Sequence, residues 1–314
     1  MMPKLLSYLR LLRIPNVFTA IADIAMGFLF VTHSLVPAGG FFLLVVATCG
    51  LYLAGMVLND VFDVEVDRVE RPERPVPSGE VSLPTARIIG FALLLVGVVA
   101  AVIAGLLFHE SSVHGMRSGI IAALLAACVL IYDGGLKKTF MGAIAMGSCR
   151  TLNVLLGMSM FPASGPAPVW FTFSAAQWSV AGGIGIFIAG VTWFARTEAR
   201  TSNRLVLAFG LIVMLLGLGV MASMERLGKE TLFSNEVVWP ALLTLLMVAV
   251  FRRGIMAVAN PLPAHVQSTV KQAIFSLIVL DASVCLAVRG PMWAIAILLL
   301  LVPMVALGKW VYST

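Results

Sequence analysis

Charge is what this sequence has least of. Asp, Glu, Lys and Arg make up 11% of its 314 residues, where a soluble domain carries about 25%. With 60% of the residues hydrophobic, a water-soluble fold is excluded, because too few polar side chains remain to cover its surface. Cysteine is scarce as well. Cys49, Cys128, Cys149 and Cys285 all lie in apolar runs, which excludes a disulfide framework and a zinc-ligand spacing. The four histidines, His33, His109, His114 and His265, fall at the ends of apolar runs or between them, and receive no role. No polar linker is long enough to mark off a soluble module, so residues 1–314 are read as a single transmembrane domain. The opening MMPKLLSYLRLLRIPN is basic and interrupted by Pro15. It is expected to carry no cleavable signal.

Long apolar runs are abundant. Crossing a bilayer takes about 20 apolar residues, and the candidates are Val17–Val36, Phe41–Leu58, Ala86–Phe108, Ile120–Tyr132, Phe140–Phe161, Val180–Ala195, Leu205–Ala222, Val237–Phe251, Ala273–Val288 and Trp293–Leu307. Several are short, so the fold expected is an all-α polytopic membrane protein of nine to ten helices. With the N-terminus inside and the segments alternating, 16 of the 21 Lys and Arg residues fall inside, four outside, and Arg150 within a run. That bias places the N-terminus on the cytoplasmic side of a cell (inner or plasma) membrane. It also accounts for the net charge of +6 without a nucleic-acid partner.

The acidic residues are clustered. Four of the 15 lie in Asn59-Asp60-Val61-Phe62-Asp63-Val64-Glu65-Val66-Asp67, at the inner end of the second run. On a continuing helix Asn59, Asp63 and Asp67 share a face, and Asp60 joins them by a three-residue step. Like charges at that spacing repel, the more so beside a low-dielectric boundary. A hard dication with oxygen ligands, magnesium with substrate phosphate, is the natural compensation. The bland alternative is a solvated acidic turn in which each Asp pairs with a nearby Arg. The following segment, Arg68 to Gly79, holds three arginines, Arg68, Arg71 and Arg74, and three prolines. The prolines end the helix, and the arginines suit phosphate oxygens or lipid headgroups.

The string NDVFDVEVDRVERPERPVPSG resembles the first signature of the UbiA-type membrane prenyltransferases, N-D-x-x-D-x-x-x-D followed by an R-P-x-R-P-x-P-S-G-like loop. Every position of that pattern is met. The stretch Tyr8 to Asn16 is similar to the family's start. The resemblance implies helices arranged around a central cavity, with Asn59, Asp60, Asp63 and Asp67 holding Mg2+ and, through it, an isoprenyl diphosphate. It implies substrate-binding roles for Asn16, Arg71 and Arg74. It extends to Tyr132, Lys137 and Lys138 on the next inside loop, whose alternative reading is that of ordinary inside-loop cations.

Arg150 lies mid-run, where an arginine costs about 2.5–3.5 kcal/mol on insertion scales. It should face the interior and pair with an anion, with Asn153 on the same face as a substrate-binding candidate. The family places an arginine in this helix, which implies a catalytic role near the diphosphate or the acceptor; the alternative is a structural pair with an internal carboxylate. Asp281, inside the ninth run, is a lesser candidate on depth alone.

The second acidic motif of the family departs from its pattern. At the inner end of the sixth run the one acid is Glu198, and Ser202 stands four residues on. Glu198 is therefore the remaining metal and substrate candidate there. One ion would serve, or Arg196 and Arg200 would replace the charge of a second. The activity implied is Mg-dependent transfer of a prenyl group from an isoprenyl diphosphate to an aromatic or hydroxyl acceptor among membrane lipids. The alternative is a non-catalytic protein of the same fold that binds or moves an isoprenoid or pigment precursor.

Overall fold

The computed structural model describes residues 2–108, 112–160, 172–196, 202–229, 231–233, 235 and 237–309. The helices are α1 (Met2–Leu12), α2 (Val17–Val31), α3 (Ala38–Phe62), α4 (Val64–Glu70), α5 (Leu83–Phe108), α6 (Ser112–Asp133) and α7 (Gly142–Gly157). They continue as α8 (Ala175–Ala195), α9 (Arg204–Ala222), α10 (Val238–Ala259), α11 (Pro263–Arg289), α12 (Pro291–Leu298) and α13 (Leu301–Gly308). The described residues contain no strand. Nine stretches among them are long and apolar enough to cross a membrane, with α12 and α13 counted together. This is a multi-pass membrane protein. Among the described residues each of the ten apolar runs overlaps a helix, the last being split between α12 and α13. The fifth run, α7, falls outside those nine because it has 16 residues before a 3-10 turn at Met158–Met160.

Bundle spacing is set by small residues. A side chain at Gly27 of α2 would stand 2.7 Å from the Val154 carbonyl oxygen of α7, and one at Gly157 would stand 2.8 Å from the Ile24 carbonyl oxygen. The two backbones can touch only because both Cβ atoms are missing, the usual device of membrane helix contacts. That contact brings the polar residues of α7 against α2.

The acidic segment is helical but bent. Asp63 ends α3 and precedes α4, with φ −95° and ψ 3°. The four-residue ladder still runs through it: the amide of Asp63 donates to Asn59 (3.0 Å), that of Asp67 to Asp63 (2.8 Å) and that of Arg71 to Asp67 (2.9 Å). The shared face expected for Asn59, Asp63 and Asp67 is thus retained. Beyond Arg71 the chain turns back on itself. The Ser78 amide bonds the Arg74 carbonyl, and Gly79 takes φ +80°, a conformation that favours glycine. Val76 and Val81 are buried against Val57, Val61 and Leu11, which fixes the loop beneath α3.

Candidate functional site

Around the C-terminal end of α3 the structure interleaves acids and bases. Arg74 Nη1 lies 2.6 Å from Asp67 Oδ2 and 3.2 Å from Asp60 Oδ1. Arg13 Nη2 donates to the same Asp60 oxygen at 2.8 Å. Lys137 Nζ donates to Asp63 Oδ2 at 2.7 Å and to the Asn59 side-chain oxygen at 2.8 Å, and sits 3.8 Å from Asp133 Oδ1. Four carboxylates thus meet three cations in one network. The Asp60 and Asp67 side chains are almost wholly buried, at 3% and 6% exposure, while Asp63 keeps 18%.

The fold brings these groups together from three places. The turned-back loop carries Arg74. A 3-10 turn after α6, Leu136–Lys138, carries Lys137. Arg13 precedes another 3-10 turn, Ile14–Asn16, and takes φ +45°. A left-handed conformation at an arginine costs about 1–2 kcal/mol and is retained where surrounding contacts hold it; here the bond to Asp60 does so.

Other expected residues surround this network. Tyr132 is half-buried in the last turn of α6, ahead of the lysine loop. Lys138 is exposed, and its carbonyl accepts from Arg196 at 3.2 Å. That bond, with one from Trp193 Nε1 to the Phe140 carbonyl at 3.1 Å, seats the C-terminal end of α8 beside the lysine loop. Arg71 is half-buried and makes no ion pair among the described residues. The Asn16 carbonyl accepts from the Thr19 hydroxyl at 2.8 Å. Glu198 lies outside the described residues.

Arg150 meets an internal carboxylate, the partner its alternative reading names. Its Nε stands 2.6 Å from Asp23 Oδ2, Nη1 donates to the Thr19 hydroxyl at 3.1 Å, and Nη2 to the Thr19 carbonyl at 2.7 Å. Asn153 donates to Asp23 Oδ2 at 2.8 Å and accepts from Thr48 at 2.6 Å. The anion Arg150 needs is therefore Asp23 of α2, fully buried, with Asp281 of α11 against it. Neither Asp281 oxygen receives a donor among the described residues. Asp23, Arg13 and Asp133 were not singled out from sequence. An acid seven residues into an apolar helix was the available signal for Asp23.

Magnesium suits the donor set. Three carboxylates and an amide oxygen are hard ligands of the kind it takes, with phosphate completing its shell. In the arrangement seen, however, Arg13, Arg74 and Lys137 occupy those oxygens, and no three acidic side chains among the described residues converge on one point. Asn59, Asp60, Asp63 and Asp67 would hold the ion only once their basic partners turn to another anion. A diphosphate supplies one.

A model of the UbiA prenyltransferase family matches residues 20–195, which include the whole acid–base network except Arg13. The chain belongs to the UbiA prenyltransferase family. It is 32% identical over 155 residues to the digeranylgeranylglyceryl phosphate synthase of Saccharolobus solfataricus, covering 49% of this chain and 51% of that one. It thus spans about half the length of the curated relatives it matches. A solved structure concerning digeranylgeranylglyceryl phosphate synthase in membranes superposes with a TM-score of 0.66 at 19% identity, over 92% of this chain and all of that one. A UbiA homolog from Archaeoglobus fulgidus bound to DMAPP and Mg2+ gives 0.57 at 15% identity, over 88% and 99%. At those identities the structural likeness establishes the UbiA fold.

Proposed function

We propose that this UbiA-family chain is a magnesium-dependent intramembrane prenyltransferase, acting as one domain with its site on the cytoplasmic side of the cell membrane. The observation that carries the reading is the pairing of Asn59, Asp60, Asp63 and Asp67 with Arg13, Arg74 and Lys137. Carboxylates and cations held in contact at a membrane boundary form a site for a ligand that brings both a dication and a polyanion. An isoprenyl diphosphate with Mg2+ is such a ligand, and the family relatives and the solved homolog with DMAPP and Mg2+ point the same way.

When bound, the ion supplies charge neutralisation on the diphosphate. The chain's own residues do the rest. Lys137, Arg74 and Arg13 pass from carboxylate to phosphate oxygens and hold the charge that develops as the carbon–oxygen bond breaks. Pyrophosphate leaves with the bonding pair. The acceptor's oxygen or ring carbon then bonds the allylic carbon and releases its proton. Arg71 and Lys138, unmatched by carboxylates among the described residues, are further diphosphate contacts, and Tyr132 and Asn16 border the bound group. Glu198 is proposed to complete the ligand set. Arg150 and Asn153 serve by fixing α2 against α7.

The experiment is incubation of the purified protein with farnesyl, geranylgeranyl and longer diphosphates, Mg2+ and a membrane lipid extract, read by mass spectrometry. A prenylated product is expected, lost in D63N/D67N. The second reading, a non-catalytic isoprenoid carrier, is favoured by the single acid Glu198 in the second motif. It predicts retained lipid and no pyrophosphate.

A further inference from the structure

The hairpin of α10 and α11 carries charge that no acid of its own balances. From residue 237 to residue 280 the sequence holds no Asp or Glu, and its Lys and Arg residues there are Arg252, Arg253 and Lys271. All three are exposed, and no carboxylate among the described residues pairs with them. Arg13, Arg74 and Lys137, by contrast, each meet an acid. The hairpin turn shares a side of the bundle with those residues: Arg196 bonds the Lys138 carbonyl, and the Ser202 amide bonds the Pro261 carbonyl at 3.2 Å.

The three cations lie back from the turn. Arg253 precedes the end of α10 at Ala259 by about 9 Å along the axis, and Lys271 follows the start of α11 at Pro263 by about 12 Å. Exposed Ile255 and Met256 lie between the arginines and the turn, and exposed Val248 and Leu245 lie beyond them. The charges thus interrupt an apolar surface rather than cap its end. Arg253 Nη1 donates to Ser268 Oγ at 3.0 Å, which bridges the two helices at this level. The Ser268 hydroxyl keeps its own proton to donate. Lys271, three residues on, shares the Ser268 face. Its ammonium lies 5.8 Å from the centre of the Phe275 ring, directed away from the turn. A lysine at the edge of a bilayer ordinarily reaches for water instead.

We propose that this face of the hairpin binds an anionic phospholipid, its phosphate held by Arg252, Arg253, Lys271 and the Ser268 hydroxyl and its acyl chains laid along Val248 and Leu245. Charge complementarity selects the headgroup, since three cations without acids match an anion. The apolar flanks select a lipid over a free phosphate, which would leave them uncovered. A zwitterionic lipid offers the same chains, but its own ammonium offsets the phosphate. The site is separate from the acid–base network and stands independently of the prenyl-transfer reading.

The test titrates the full chain in detergent with phosphatidylglycerol and with phosphatidylcholine of the same acyl chains, and counts retained lipid by native mass spectrometry. Each cation near a membrane surface is worth about fivefold in affinity for anionic lipid. The native protein should therefore favour phosphatidylglycerol by about tenfold or more. R253Q and K271Q should each lower that preference by about fivefold, whereas R253K, which keeps the charge, should retain most of it. R87Q removes an exposed cation near the start of α5 and should leave the preference unchanged. Equal retention of the two lipids by the native protein overturns the proposal. So does a loss in R87Q as large as that in R253Q, which would make the preference one of general surface charge. Inorganic phosphate in millimolar excess should not displace the lipid; complete displacement would make this a site for free anions and overturn the lipid assignment.

Discussion

Lys137 and Asp63 stand 74 residues apart in the chain and meet at 2.7 Å, one at the end of the α6 hairpin and the other at the bend between α3 and α4. The same ammonium reaches Asn59. A single lysine thus covers two of the four oxygen ligands proposed for magnesium. The site rests in a state where its own cations stand in for the ligand.

Lys137→Gln should therefore act on the chemical step. Removing a charge that moves onto the leaving group is expected to lower pyrophosphate release by about 100-fold or more. Lys137→Arg should recover part of it. Steady-state kinetics of the purified variants check this, and an unchanged kcat for K137Q contradicts it.

Arg13→Ala removes one of two cations from a carboxylate that is 3% exposed. Arg74 remains, so the loss should fall at or below the roughly 3–5 kcal/mol of a fully broken buried pair. A clear drop in thermal midpoint in detergent is expected, smaller in D60N/R13A than in R13A because the uncompensated charge goes as well.

Arg150 separates structure from catalysis. Arg150→Gln leaves Asp23 buried beside Asp281 with no matching cation, so about 3–5 kcal/mol of stability should be lost. Asp23→Asn in the same chain should restore much of it. In the double variant the KM for the prenyl diphosphate should be close to native, since Arg150 is committed to Asp23 and Thr19. A large rise in that KM, with stability restored, would return Arg150 to the diphosphate.

Gly27→Val should disturb the α2–α7 contact, because its side chain would meet the Val154 carbonyl. Overpacking of this kind costs about 1–3 kcal/mol. A lower melting temperature and loss of the Arg150–Asp23 alignment are expected, the latter checked by a double-mutant cycle between Asp23 and Arg150.

Much of this arrangement is legible in the sequence, for identifiable reasons. The apolar runs mark helices because lipid contact imposes composition directly. Asn59, Asp60, Asp63 and Asp67 are visible because their spacing is local and follows one helix face. Arg150 is visible because a charge at that depth is rare. The ends are less well marked: α11 begins at Pro263 rather than Ala273, since the turns bearing Gln267, Ser268 and Lys271 are helical yet polar. The last run breaks between Leu298 and Leu301, where Pro303 cannot donate to the Leu299 carbonyl four residues back. Partners across the fold were the hardest to foresee. Arg13 reads as one more inside cation, and its bond to Asp60 spans 47 positions. The bond between Asn153 and Asp23 spans 130. Nothing in either neighbourhood names the other member.

The most direct test is calorimetric titration of a non-hydrolysable prenyl thiodiphosphate into the purified protein, with Mg2+ and with EDTA, for the native chain and for D63N/D67N. The account predicts tight binding to the native chain with Mg2+, and a loss of about 100-fold or more either on chelation or in the variant. Binding that is equally strong without magnesium, or unaltered by the two substitutions, would contradict it.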